Sequence, residues 1–163
     1  MNDSRDAPEV IGDCVVRPAI DSDLLGLLQL FSRADEGIRP EVSSSSTIDV
    51  STWHTMLTTE NLTVYVAERS GQIVGSVTFM VMPHLSYECR PRGFIEAMVV
   101  TATHRRSGVG RRLMERVLAD ASGAGCHKIQ LLAHKRHASD GAHNFYRSLG
   151  FEAEAEGFRL YLP

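Results

Sequence analysis

Val99-Val100-Thr101-Ala102-Thr103-His104-Arg105-Arg106-Ser107-Gly108-Val109-Gly110-Arg111-Arg112 joins two kinds of periodicity. Before it, Gly93 to Val100 alternates as a strand does, with Ile95, Ala97 and Val99 on one face and Phe94, Glu96, Met98 and Val100 on the other. After it, Val109, Leu113, Val117 and Leu118 repeat at helical spacing until Gly123 and Gly125 stop the helix. At a helix N-terminus the first backbone N–H groups lack internal partners, and glycine lets a phosphate come close to the main chain. Arginines add planar, charge-assisted donors. Two readings stand: a cradle for a pyrophosphate, or a solvated helix start with incidental arginines. Neither GxxxxGK[ST] nor GxGxxG is present, so a P-loop and a dinucleotide fold are poorly supported.

Upstream, Cys14 to Arg17 reads as a short strand, with Asp21 and Ser22 as capping candidates for a helix whose buried face is Leu24, Leu27, Leu28 and Phe31. Gly37 to Asp49 is polar and Ser-rich, the composition of a surface loop, and Trp53, Met56 and Leu57 resume the helical period. Leu62, Val64 and Val66 alternate, Ser70-Gly71 reverses the chain, and Ile73 to Met82 returns as a longer strand. Pro83 to Arg92 is a loop. Downstream, Lys128 to Ala133 reads as a buried strand and Ala142 to Leu149 as a helix closed by Gly150. Phe151 to Glu156 and Phe158 to Leu162 read as a final pair of strands. The order β-α-α-β-β-β-α-β-α-β-β predicts an α/β fold with a mixed, mostly antiparallel sheet flanked by helices.

A chain of 163 residues that is 43% hydrophobic fills one core and is short for two domains. Residues 1–12 carry both charge signs without an apolar run, which predicts a mobile tail ahead of one domain over 13–163. The net charge of −3 argues against nucleic acid as a partner, and no apolar stretch approaches the roughly 20 residues that cross a bilayer. Cys14, Cys89 and Cys126 are odd in number and far apart, which suggests neither disulfides nor a zinc site and fits a reducing cytoplasm. His134, His137 and His143 lack metal-binding spacing, so no metal is expected.

A second motif, His143-Asn144-Phe145-Tyr146-Arg147-Ser148-Leu149-Gly150-Phe151, follows the first by about forty residues. The pairing V-V-x-x-x-x-R-R-x-G-x-G with A-x-x-F-Y-x-x-x-G-F resembles the GNAT N-acetyltransferase superfamily. The resemblance implies acetyl-CoA as co-substrate and an acyl-CoA N-acyltransferase fold. By it, the main chain of Met98, Val99 and Val100 holds the pantetheine arm, Arg105, Arg106, Ser107, Gly108, Val109 and Gly110 wrap the pyrophosphate, and Arg111 assists. Tyr146 matches the tyrosine that in many relatives protonates the leaving thiolate. Its other reading is an aromatic packed behind the Gly-Phe turn, although Phe145 suits that role better. Ser139 stands where many relatives have Asn, and Thr101-Ala102-Thr103 where proline is common. Lys135-Arg136-His137 and Gly157-Phe158-Arg159-Leu160 bear a faint likeness to small-amine acetyltransferases.

Acetyl transfer needs a neutral amine, a place for the oxyanion and an acid for the thiolate. Glu96 is the candidate base: on an otherwise apolar strand face, burial would raise its pKa and let it accept a proton, directly or through water. The competing reading pairs it with an arginine. His84, Tyr87 and Glu88 precede this strand as candidate acceptor-pocket residues. The expected acceptor is a primary amine of a small molecule, with a protein N-terminus or lysine as the alternative and a non-catalytic CoA-binding module as the rival. Relatives often form homodimers, and the same is expected here.

Overall fold

A computed structural model describes residues 9–11, 13–34, 50–133 and 141–162. The expectations for Gly37 to Asp49, His134 to His137 and Ser139 lie outside the described residues. The chain divides into two compact units, Met1–Gln130 and Leu131–Pro163.

The first unit contains β1 (Glu9–Ile11), β2 (Cys14–Pro18), α1 (Leu24–Ala34), α2 (Val50–Thr58), β3 (Leu62–Arg69), β4 (Gln72–Met82), β5 (Arg92–Val100) and α3 (Val109–Gly123), and β6 (Lys128–Leu131) begins in it. The sheet follows chain order from β1 to β6. Neighbours from β1 to β5 are antiparallel. β1 falls inside the segment expected to be a tail: Glu9, Val10 and Ile11 pair with Val16, Val15 and Cys14. β6 runs alongside β5 in the same direction. The His127 N–H donates to the Pro91 carbonyl at 3.0 Å, and a Cβ on Gly93 would lie 3.2 Å from Ile129, so both chains advance together.

The sheet is covered on two faces because its inward residues are β-branched or aromatic on both. Leu27, Leu30, Trp53, Val64 and Val66 form one buried cluster with α1 and α2, joined by Ile73 and Val99. Within α1 the fully buried leucines are Leu27 and Leu30, whereas Leu28, expected on the buried face, is exposed. Neither Asp21 nor Ser22 caps α1. Asp21–Asp23 forms a 3₁₀ turn ahead of it, and the Asp23 carboxylate accepts the Ile20 N–H at 2.8 Å. Trp53 Nε1 donates to the Asp21 carbonyl at 3.2 Å and fixes α2 to that turn.

On the opposite face, Val109, Leu113, Met114, Val117 and Ala121 bury the apolar stripe of α3. Gly75 lies beneath it, where a Cβ would come within 3.0 Å of Val109 and 3.1 Å of Leu113. Three polar contacts hold the helix. Arg112 donates to the Cys14 carbonyl at 3.2 Å, Arg116 pairs with Asp120 at 3.1 Å, and the Tyr65 hydroxyl donates to Asp120. Burial first, and the Asp120 carboxylate second, push the Tyr65 phenol well above its ordinary pKa.

The second unit holds α4 (Ala142–Arg147). The Phe151 N–H donates to the Tyr146 carbonyl at 3.1 Å and closes the helix end. The two closing strands expected over Phe151 to Leu162 are not formed. Their alternation is a strand pattern, but a strand is stabilised by a bonded neighbour, and Phe158, Leu160 and Leu162 are exposed. No helix among the described residues is long and apolar enough to cross a membrane.

Candidate active site

β5 changes phase in its middle. Its pairing with β4 runs regularly from Met82↔Arg92 to Thr78↔Glu96 and resumes at Ser76↔Val99, so Ala97 and Met98 together oppose the single residue Val77. Ala97 has φ 49, a left-handed conformation unusual for a residue with a Cβ, as a bulge requires. The alternation expected across Gly93 to Val100 therefore breaks. Ile95, opposite Phe79, shares the α3 face, whereas Val99 packs into the α1 and α2 cluster. β6 supplies only Lys128–Leu131, beginning beside Pro91, while β5 continues to Val100. The strand past the bulge thus has β4 on one side and extends beyond the reach of β6 on the other. Met98, Val99 and Val100 are half-buried on this stretch.

From Val100 the chain enters a 3₁₀ turn, Ala102–His104, and then the arginine-glycine segment. The Thr101 N–H is fixed to the Val74 carbonyl at 2.9 Å, and Ser107 Oγ donates to the His104 carbonyl at 2.6 Å. These bonds set the turn without the proline common in relatives. Gly108 caps α3 with φ 88, and a Cβ there would meet nothing within 4 Å. The open space in front of the first turn of α3 is what a phosphate approaching backbone N–H groups needs. Arg105, Arg106, Ser107, Gly108 and Arg111 are exposed around it, Gly110 is half-buried, and Val109 is buried as the first anchor of the helix. Arg105 is already engaged, its Nε donating to the Val100 carbonyl at 3.3 Å. Arg112 points back to β2.

Glu96 immediately precedes the bulge and is exposed. The burial invoked for it from the apolar strand face is absent, because the bulge begins at the next residue and interrupts that face. No ion pair to Glu96 occurs among the described residues, so the alternative pairing with an arginine finds no support there.

Tyr146, in the second unit, sits 5.3 Å from Phe145 and 6.0 Å from Phe151, ring centre to ring centre. Burial raises the pKa of its phenol, which keeps the hydroxyl a proton donor at neutral pH. His84 and Tyr87 approach each other in the β4–β5 loop, with ring centres 6.3 Å apart, and Glu88 is exposed beside them. Sequence reasoning missed two residues at this loop, Arg92 and His127: the Tyr87 ring stacks on His127 at 4.3 Å, and the Arg92 guanidinium lies 5.9 Å from the Tyr87 centroid. It also missed the Ala97 bulge. Among the described residues no cluster of His, Cys, Asp or Glu has the arrangement of a metal site.

A sequence profile of the Acetyltransferase (GNAT) family matches residues 25–151. The chain belongs to the GNAT family. Over 99 residues it is 32% identical to a Trypanosoma brucei brucei protein named glucosamine 6-phosphate N-acetyltransferase, a match covering 61% of this chain and 64% of that relative. Among solved structures, a putative acetyltransferase from Agrobacterium tumefaciens superposes with TM-score 0.79 at 31% identity, covering 90% of this chain and 99% of the other. A Bacillus halodurans protein described as a transcriptional regulator gives TM-score 0.80 at 25% identity, covering 91% and 99%. In this GNAT chain, the bulged strand and the glycine-capped helix thus stand in direct succession, joined by Thr101 to Ser107.

Proposed function

We propose that the chain binds acetyl-CoA along the second half of β5 and transfers the acetyl group directly to the primary amine of a small molecule. The observation that carries this reading is the succession of the Ala97 bulge, the β5 stretch that outruns β6, and the open helix start at Gly108. A pantetheine arm hydrogen-bonds like an extra strand, so the main chain of Met98 to Val100 suits it. The pyrophosphate falls to Arg105–Gly110, with Arg111 adding charge. Arg105, tied to the Val100 carbonyl, holds the strand end to the turn.

The amine nitrogen attacks the thioester carbonyl, forming the C–N bond and an oxyanion. The oxyanion collapses, the C–S bond breaks, and the sulfur leaves as a thiolate. One proton goes from the amine to Glu96, and because Glu96 is exposed, an intervening water is its natural route. Tyr146 donates a proton to the thiolate, and its burial suits that role. The products are an amide and free CoA thiol. The amine acceptor in the names of the glucosamine 6-phosphate N-acetyltransferase relatives supports a small amino-sugar-like acceptor over a protein N-terminus or lysine. A homodimer is supported by the family resemblance, and a cytoplasmic setting by three cysteines without disulfide or zinc spacing.

The test is thiol release from acetyl-CoA across an amine panel, alongside thermal stabilisation by acetyl-CoA and by CoA. Turnover with at least one small amine, and a rate that falls in Glu96→Gln most where the amine is protonated, are expected. The likeness to the Bacillus halodurans regulator favours a second reading, a CoA-binding module without turnover. Stabilisation by CoA with no thiol release from any amine would select it.

A further inference from the structure

At the end of β5 remote from the arginine-glycine turn, side chains from three separate stretches converge on one point. The Tyr87 ring stacks on His127 with its plane 19° from parallel, and His84 lies 6.3 Å from Tyr87 and 6.1 Å from His127. Arg92, the first residue of β5, brings its guanidinium over Tyr87 at 5.9 Å. Two atoms in this group, Arg92 Nε and His127 Nε2, are buried without a hydrogen-bond partner among the described residues. A buried polar atom left unpaired is destabilising, so its persistence asks for a partner that the described residues do not supply.

The bonds already made give these atoms direction. His127 Nδ1 lies 3.2 Å from the Pro91 carbonyl, which only accepts, so Nδ1 carries hydrogen and Nε2 is the ring's remaining contact. When both ring nitrogens carry hydrogen, Nε2 is a donor aimed away from the Pro91 carbonyl. His84 Nδ1 accepts the Ser86 N–H at 3.0 Å, which leaves the hydrogen of the neutral ring on its Nε2.

The backbone around them is held against its preference. Tyr87, Glu88 and Cys89 have φ 55, 61 and 59 in succession, a run that residues with a Cβ rarely adopt and that concentrates at ligand clamps. Arg90 locks the run in place, donating from Nε to the Gly125 carbonyl and from Nη2 to the Cys126 carbonyl, both at 3.2 Å. Arg92 and Glu96 share a side of β5 ahead of the bulge, and four residues of strand separate them by roughly 13 Å at the backbone.

We infer that Arg92, His127 and His84, ordered by the Tyr87 stack, bind a phosphate group carried by the acceptor, whose amine is presented at the Ala97 bulge. The inference rests on the acetyl-transfer reading for the second half of that statement only. Three N–H donors match the three terminal oxygens of a phosphate monoester. The cofactor's own phosphates are excluded from this role because their candidate cradle lies at the other end of the nine-residue strand.

The test uses the full chain and paired probes, glucosamine 6-phosphate and glucosamine, at saturating acetyl-CoA, together with a titration by inorganic phosphate followed through the imidazole C–H signals of His84 and His127. The variants are Arg92→Gln and His127→Phe, the latter keeping an aromatic ring for the stack. The phosphorylated amine should be preferred in kcat/KM, and each variant should cut that preference over glucosamine by at least about tenfold, the worth of one charge-assisted bond. Inorganic phosphate should shift both imidazoles in the parent and neither remaining signal in Arg92→Gln. Turnover with no amine, but with that phosphate response intact, would sink the acetyl-transfer reading and leave the phosphate site standing. A preference unmoved by both variants while they retain the parent melting temperature overturns the site. So does an absent phosphate response.

Discussion

At its Val100 end β5 leads into a site built from main chain, with Gly108 in a left-handed cap, open space before the first turn of α3, and arginines around it that are exposed or bonded to a carbonyl. At its Arg92 end the parts are side chains: a Tyr87–His127 stack, a guanidinium over it, and two nitrogens without a partner among the described residues, beside a strained loop. A site of the first kind should tolerate exchange of its side chains and fail on losing a glycine. One of the second kind should fail on losing a side chain. Both ends are proposed to bind and neither to make or break a bond, so the contrast also separates affinity from turnover.

The largest effect is accordingly expected from the proposed proton donor, which is assigned to neither binding end. Tyr146→Phe should lower kcat by roughly 10²–10⁴-fold while acetyl-CoA still raises the melting temperature. An unchanged kcat, with chemistry shown to be rate-limiting, would reduce Tyr146 to a packing partner of Phe145 and Phe151. Next comes Leu113→Ala, because α3 serves both ends: Gly108 starts it, and the Gly125 and Cys126 carbonyls that receive Arg90 follow it. Leu113 is fully buried, so denaturant unfolding should show a loss of about 2–5 kcal/mol. Both ligand responses should weaken together, and a loss confined to one end would show that the ends are held independently.

Gly108→Val separates the ends. The left-handed cap resists a β-branched residue, and the new methyl groups fill the space before α3. Stabilisation by acetyl-CoA, about 2.7 kcal/mol at 100 Kd, should vanish while the phosphate response at His127 persists. An undiminished shift would put the pyrophosphate elsewhere.

The smallest effect belongs to a control that touches neither end. Arg17 grips Asp23 through two bonds, at 2.6 and 3.0 Å, and Glu68 through a third at 2.8 Å. Burial pushes the Asp23 pKa up, but the Arg17 fork and the Ile20 N–H outweigh it and hold the carboxyl below its ordinary value. The folded state thus binds this proton less readily than the unfolded chain. The stabilisation is complete above the unfolded value of about 3.9 and is lost as pH falls through the folded one. Asp23→Asn should be less stable at neutral pH and show a flatter acid limb in a pH series of melting temperatures. An unaltered acid limb would assign acid sensitivity to other carboxylates.

Local features were legible in the sequence. The reversal at Ser70-Gly71, the strand entering Val100 and the helix leaving Gly108 depend on neighbours within a few residues, and each occurs where the pattern placed it. What long-range pairing decides was not legible. Nothing in Gly93 to Val100 marks Ala97 as surplus, since the surplus exists only relative to β4, and Glu96 was assigned a buried face on the strength of an alternation that ends at its own position. His127 reaches Tyr87 from forty residues away and carries no motif. The alternation of Phe158, Leu160 and Leu162 was visible, but it could not supply a strand for those residues to pair with.

The bulge in β5 behaves as a frameshift written in side chains instead of codons. Upstream of Ala97 the reading frame of the strand delivers Ile95 to the α3 face, and downstream it delivers Val99 to the opposite face, into the cluster of Leu27, Leu30 and Trp53. Excising Ala97 would leave Met98 alone opposite Val77 and Val99 still opposite Ser76, so alternation would become strict while Ile95 and Val99 kept the faces they already occupy. A substitution at Ala97 meets a left-handed backbone that disfavours β-branched side chains, whereas removing one residue between Glu96 and Val99 erases the bulge and spares both cores.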